Sequence, residues 1–291
     1  MARLTVGTRG SALALAQTNW VAQRLRAAHP GLEVAVQTIQ TEGDRTQPAN
    51  IPLSTFGEKG IFAKEIEAAL LASAVDLAVH SMKDLAPVLP EGLQIAAVPE
   101  REDPRDTVLG AKLADLPAGA RVGTGSVRRT ALLAQLRPDL DVLSIRGNVD
   151  TRIRKLREGQ YDAILLAVAG LNRLGRQNEI AEILDPEEFV PDPGQGALAI
   201  QTRVGDDETN ALVTALDHPD SHIAIRAERA YLNALGAGCQ TPVGAWARFI
   251  DGKLVLTAML VVPDGSIKRE TLAGAPEEAE ELGRKIANLL S

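Results

Sequence analysis

Two short stretches decide the reading of this chain: Val6-Gly7-Thr8-Arg9-Gly10-Ser11 and Val122-Gly123-Thr124-Gly125-Ser126. Each sits where an apolar run ends and a helical pattern begins. Serine is a good helix N-cap, and glycine lets the backbone turn and approach a ligand. Both junctions therefore read as strand-to-helix turns that offer a helix N-terminus to an anion. Around the first, Leu4–Val6 is predicted as a strand, and a helix runs from Ser11, with Leu13, Trp20, Val21 and Leu25 near a 3.6 period, to His29-Pro30-Gly31. Val34, Val36 and Thr38 alternate as a second strand; a helix from Phe62 and a strand over Val75–Val79 follow. Around the second junction, Arg121–Gly123, Val142–Ile145 and Ala163–Val168 read as strands, with helices over Ser126–Leu136 and Asp150–Arg157. This doubled alternation predicts two α/β domains of similar plan, each with a mainly parallel sheet covered on both faces.

Residues 41–60 are rich in Gly, Pro, Asn and Thr and read as a loop long enough for a lid. Asp185 to Gly196 reads as a crossing or hinge. Beyond it the character changes: a helix over His222–Leu235, a glycine-flanked Cys239, strands over Val243–Ile250, Lys253–Val261 and Ser266–Leu272, and an amphipathic helix over Glu277–Leu290 predict a small antiparallel α+β domain.

Aromatic residues are 3% of the chain, which argues against stacking platforms for bases or sugars. The net charge is −7, yet residues 121–176 carry +6, nearly all of it arginine, which leaves −13 for the remainder. That balance disfavours nucleic acid and anionic membrane as partners. No apolar run reaches a membrane span, no signal core follows a basic N-terminus, and one cysteine allows no internal disulfide, so a cytoplasmic protein is expected.

Parallel α/β sheets bind ligands beyond the carboxyl ends of their strands. There the chain places Arg9, Ser11, His80 to Asp84, Thr124 to Arg129, Arg146-Gly147-Asn148 and Arg173. Arginine forks suit carboxylate or phosphate, so the cleft is expected to hold a polyanion with several carboxylates or phosphates, and the lack of a P-loop disfavours nucleotide phosphate. Arg137, Arg157 and Arg176 are read as solvated basic side chains. Asp84, one carboxylate among guanidiniums, is either a structural counter-ion or a group that steadies a developing cation. Asp103 and Asp106 are read as local ion-pair partners within Arg101–Asp106. Cys239 is either a small buried hydrophobe or, given Gly236, Gly238 and Pro242, an accessible thiol able to carry a covalent group. No metal-ligand spacing or nucleophilic triad is found.

Taken in order, several motifs resemble the porphobilinogen deaminase (hydroxymethylbilane synthase) family over nearly the whole chain. They are Thr8 to Ser11, Gly57-Glu58-Lys59-Gly60-Ile61-Phe62, His80 to Asp84, Arg101 to Asp106, Gly123 to Arg129, Arg146 to Arg152, Ala167 to Gly175, Pro193-Gly194-Gln195-Gly196 and Gly238 to Gly244. Departures are Ala86 in place of a common proline, Asp150 in place of a frequent glycine, and a slightly long 41–60 loop. The resemblance implies a transferase that condenses four porphobilinogen molecules head to tail into hydroxymethylbilane, with loss of ammonia at each addition. It implies a dipyrromethane cofactor on a thioether to Cys239, with Lys83, Ser126, Arg128, Arg129, Arg146 and Gly147 holding that cofactor. Arg9, Ser11, Gln17, Phe62, Arg152, Arg173 and Gln195 are implied as substrate contacts, and Asp84 as the catalytic carboxylate. The fold implied is two periplasmic-binding-protein-like (type II) α/β domains with a cleft between them, plus the small C-terminal domain with its three-stranded antiparallel sheet. Boundaries are expected at residues 1–99 with 197–216, 100–196 and 217–291, in a monomer that binds neither nucleic acid nor membrane. The alternatives are a two-lobed polyanion-binding module without catalysis, which leaves Cys239 and Asp84 unexplained, and a nucleic-acid binder, which must contend with the −13 elsewhere.

Overall fold

In a computed structural model the described residues are 3–41, 62–236 and 241–291. All of the expected lid at 41–60 but its first residue, most of the Gly57–Phe62 motif and Cys239 lie outside them. The chain opens with β1 (Arg3–Thr8), α1 (Ala12–Ala28), β2 (Glu33–Thr38), α2 (Lys64–Leu71), β3 (Leu77–Ser81) and β4 (Leu93–Ala97). It crosses into β5 (Asp106–Leu109), β6 (Arg121–Gly123), α3 (Val127–Leu136), β7 (Asp141–Leu143), α4 (Val149–Arg157), β8 (Ala163–Ala167), α5 (Val168–Arg173) and β9 (Ile180–Ile183). It returns through β10 (Leu198–Arg203) and α6 (Asp207–Thr214). The last unit is α7 (Pro219–Ala234), β11 (Val243–Ile250), β12 (Lys253–Val261), β13 (Ile267–Gly274) and α8 (Ala279–Leu290).

The two large sheets share one plan. The first has the order β2-β1-β3-β10-β4 and the second β7-β6-β8-β5-β9. In each, four strands run in one direction and a single strand from the crossing chain is inserted antiparallel: β10 between β3 and β4, β5 between β8 and β9. The sheets are thus mainly parallel, as the sequence reading expects, with one antiparallel strand that each crossing segment adds. β5 is buried along its whole length and β10 nearly so, leaving no polar alternation to mark them. The two crossings run side by side, with the Glu102 amide donating to the Gly196 carbonyl at 3.3 Å and Arg101 Nε to the Gln195 carbonyl at 2.8 Å.

The third sheet, β11-β12-β13, is antiparallel throughout. Ile250 pairs with Lys253, so Asp251-Gly252 is a two-residue hairpin turn, and φ of 49° and 76° there gives the right twist. Helices α7 and α8 cover this sheet with Ala227, Tyr231, Leu282 and Ile286. Separate apolar clusters fill the two large lobes. Among the described residues no helix is long and apolar enough to cross a membrane.

Candidate active site

The serines at the two diagnostic junctions cap their helices. Ser11 accepts from the Ala14 amide at 3.3 Å and Ser126 from the Arg129 amide at 3.4 Å; Asn148 does the same for α4, from Thr151 at 2.9 Å. These caps fix where the following side chains leave the strand ends.

Between the lobes lies a cavity of about 220 Å3. Five cationic side chains line it, Arg9, Lys83, Arg129, Arg152 and Arg173, together with Ser11, Gln17, Phe62, Gly147 and Gln195. Its described lining contains no carboxylate. The Arg9 guanidinium stacks 3.9 Å from the centre of the Phe62 ring, and Gln17 Nε2 donates to Ser81 Oγ at 2.9 Å, tying α1 to β3. Arg152 Nε donates to the Gly147 carbonyl at 2.8 Å and Arg173 Nη2 to the Gly196 carbonyl at 2.6 Å. A carbonyl orients a guanidinium without neutralising it. Burial lowers the pKa of Arg152 to about 10, helped by the nearby charges of Arg129 and Arg146, and burial lowers that of Arg173 to about 10 as well. Lys83 is also lowered, by burial first and Arg129 second, and it donates to Gln195 Oε1 at 3.1 Å. Such a site is short of negative charge, which carboxylates on a ligand would supply.

Asp84, Ser126, Arg128 and Arg146 do not border this cavity. Asp84 ends a single 3-10 turn, Met82–Asp84, that hangs from β3. It is not the only anion nearby, as the sequence suggested, since Asp192 and Asp106 also act on Lys83. Arg128 is buried.

The structure corrects the reading of Asp106. Asp103 does pair locally, with Arg105 at 2.6 Å, but Asp106, at the head of β5, pairs with α3 of its own lobe. Its fully buried carboxylate accepts from Arg128 Nη2 at 2.7 Å, Arg129 Nη2 at 2.6 Å and Nε at 3.0 Å, and Gln195 Nε2 at 2.9 Å. Burial alone would raise its pKa; the two guanidiniums and the Gln195 bond overcome that and hold it near 2. Arg137, Arg157 and Arg176, expected to be merely solvated, each pair with an acid: Asp139, Glu179 and Asp150. A second central group went unread. Glu228 on α7 is fully buried and accepts from Arg101 at 2.6 and 3.1 Å, the Gly194 amide at 2.6 Å and the Ala247 amide at 2.8 Å. Its signal was available, because Ala224, Glu228 and Tyr231 share one helical face and the other two are core residues.

Family models match most of the chain: "Porphobilinogen deaminase, dipyromethane cofactor binding domain" over residues 4–211 and "Porphobilinogen deaminase, C-terminal domain" over residues 222–291. The chain belongs to the porphobilinogen deaminase family. It is 53% identical to the porphobilinogen deaminase of Thermus thermophilus over 289 residues, covering 98% of this chain and 94% of that one. The Roseiflexus castenholzii enzyme is 50% identical over 290 residues, with 99% and 95% covered. The Syntrophobacter fumaroxidans enzyme is 49% identical over 287 residues, with 97% and 92% covered. Among solved structures, a Bordetella pertussis BvgS periplasmic VFT2 domain is 17% identical, with a TM-score of 0.42 over 74% of this chain and 86% of that one. The activity of this family member is the head-to-tail polymerisation of porphobilinogen into hydroxymethylbilane in tetrapyrrole biosynthesis, with dipyrromethane as cofactor.

Proposed function

We propose that Asp84 is the catalytic carboxylate, Cys239 the covalent cofactor anchor, and the cavity cations the holders of the growing chain's carboxylates. The observation that carries the role of the cations is a cleft with five of them and no described acid in its lining; Asp84 enters the reading through the turn it shares with Lys83, which does line that cleft. The residues fit a dipyrromethane: each of its rings bears carboxylate side chains, and Lys83, Arg129 and Gly147 face the cleft to meet them. When bound, that group supplies the pyrrole end to which new units are joined. Ser126, Arg128 and Arg146 belong to the cofactor side of the same proposal; for Arg128 this requires a ligand carboxylate to draw its fork from Asp106. Arg9, Ser11, Gln17, Phe62, Arg152, Arg173 and Gln195 contact incoming substrate. As ammonia leaves porphobilinogen, positive charge spreads over its ring, and a fixed Asp84 carboxylate gains more with that state than with the ground state.

We extend the proposal to three domains, 1–99 with 197–216, 100–196 and 217–291, in a cytoplasmic monomer. The exposed large apolar side chains support a monomer, being spread over separate elements: Trp20 on α1, Val127 on α3 and Ile250 on β11. The test is intact mass plus turnover of porphobilinogen. Wild type should carry a dipyrromethane increment that Cys239→Ser lacks, and loaded Asp84→Asn should be nearly inert. An unmodified active wild type, or near-normal turnover by Asp84→Asn, refutes the assignment.

A further inference from the structure

The turn bearing Lys83 and Asp84 has little internal support: Leu85 closes it with one bond to the Met82 carbonyl at 3.2 Å. On the cleft side Met82 donates to the Ala197 carbonyl at 3.0 Å. On the opposite side it is gripped by α7. Arg229 Nη2 donates to the carbonyls of Ala86 at 2.8 Å and Pro87 at 2.9 Å, and its Nη1 lies 4.0 Å from Met82 Sδ. One helical turn earlier, Ile225 packs in one buried cluster with Met82 and Leu85. Residues four apart share a helix face, so Ile225 and Arg229 together clasp the chain on both sides of Asp84. Both acceptors of Arg229 are main-chain carbonyls, which take its orientation and leave its charge. In sequence, α7 leads within five residues to Cys239.

We propose that Arg229 is a positioning residue for the condensation: it fixes the Asp84-bearing turn to the helix that leads to the cofactor-bearing cysteine. The proposal rests on the reading of Asp84 as the catalytic carboxylate. One planar NH2 of the guanidinium, Nη2, reaches two adjacent carbonyls at once while Nη1 lies against Met82 Sδ, whereas a lysine ammonium, though it has three donors, is a point charge with no such fixed geometry. A displacement of about 1 Å in a catalytic group costs on the order of 100-fold in rate, so a loose turn slows chemistry without loosening substrate binding.

A cavity of about 370 Å3, lined by Pro87, Ile225 and Arg229 itself, adjoins the guanidinium and leaves room for a replacement from solution. The experiment compares cofactor-loaded wild type, Arg229→Ala, Arg229→Lys, Asp84→Asn and the Arg229→Ala/Asp84→Asn double variant, loading being checked by intact mass. Expected is a kcat lower by about 10- to 100-fold for both Arg229 variants with KM within about threefold. Millimolar guanidinium chloride, against sodium chloride, should restore turnover to Arg229→Ala and not to Asp84→Asn. The double variant should be no slower than Asp84→Asn alone. If Arg229→Ala does not fold, Arg229→Gln takes its place. Wild-type kcat, a loss confined to KM, an absence of rescue, or multiplied losses in the double variant would each overturn the role. Near-normal turnover by Asp84→Asn instead removes the underlying reading, and a slow Arg229→Ala beside it would show that Arg229 acts elsewhere.

Discussion

Asp106→Asn keeps the outline of the side chain and removes its charge, at a position with no exposure to solvent. In the native protein the two oxygens accept four bonds, three of them from guanidiniums. An amide offers one oxygen and turns an NH2 toward an arginine donor, so at least one guanidinium faces a donor in a buried site. Removing one partner of a buried pair costs about 3–5 kcal/mol, a large part of the roughly 5–15 kcal/mol that holds a domain folded. The pH dependence gives a second check. The folded pKa of Asp106, near 2, lies below the ordinary carboxyl value of 3.8, so its stabilisation is fully present above 3.8 and is lost as pH falls through 2. That linkage amounts to about 2 kcal/mol at neutral pH, of which about 1 kcal/mol has gone by pH 3. The assay is urea unfolding of the holoenzyme at pH 7 and pH 3. The variant should lose several kcal/mol at pH 7, and its deficit should narrow at pH 3, where the unfolded wild type takes up a proton on this carboxyl that the folded protein, with its pKa near 2, largely does not. A variant within about 0.5 kcal/mol of wild type at pH 7, the range of neutral surface changes, would refute the account of Asp106 as the anion that holds Arg128 and Arg129.

Arg129→Lys gives up the two-pronged contact with Asp106 and the bond to the Leu165 carbonyl. At about 1.5–3 kcal/mol per bond to a charged group, intact mass should show a mainly cofactor-free protein. Gly194→Ala should fold but turn over slowly. Gly194 has a φ of 80°, and an added Cβ would lie 2.7 Å from Met82 Cγ and 3.1 Å from the Lys83 amide nitrogen, so the substitution presses on the turn that carries Asp84; normal kcat would show that the turn tolerates the push.

What the sequence made legible was local. Ser11 and Ser126 were readable as caps because a cap acts within three residues, and the hairpin at Asp251-Gly252 because its turn chemistry is contiguous. β5 and β10 were missed because pairing partners decide a fully buried strand: Leu198–Arg203 acquires its direction only from β3 and β4. Asp106 was misread for the same reason. Arg105 is its neighbour in sequence, yet Arg105 pairs with Asp103, while Asp106 opens a wholly buried strand and finds Arg128 and Arg129 across the lobe. A charged residue at the head of an apolar run was the available clue.

The same distinction sorts the arginines by task. Arg128 and Arg129 share one carboxylate, which reduces two charges to one and lets both sit in a buried wall. Arg152 and Arg173 are aimed by the Gly147 and Gly196 carbonyls, which leave the charge of each at the cavity, with a pKa that burial lowers to about 10. Asp106 therefore builds the site, and the carbonyl-held pair presents it. A polycarboxylate entering such a cleft finds forks already oriented, and its own charge relieves the crowding of like charges, so binding and stability should rise together. Loss of a carbonyl-held arginine should weaken ligand binding and leave the empty fold as stable as before, or more so, whereas loss of Arg128 or Arg129 leaves Asp106 under-paired and weakens the fold itself.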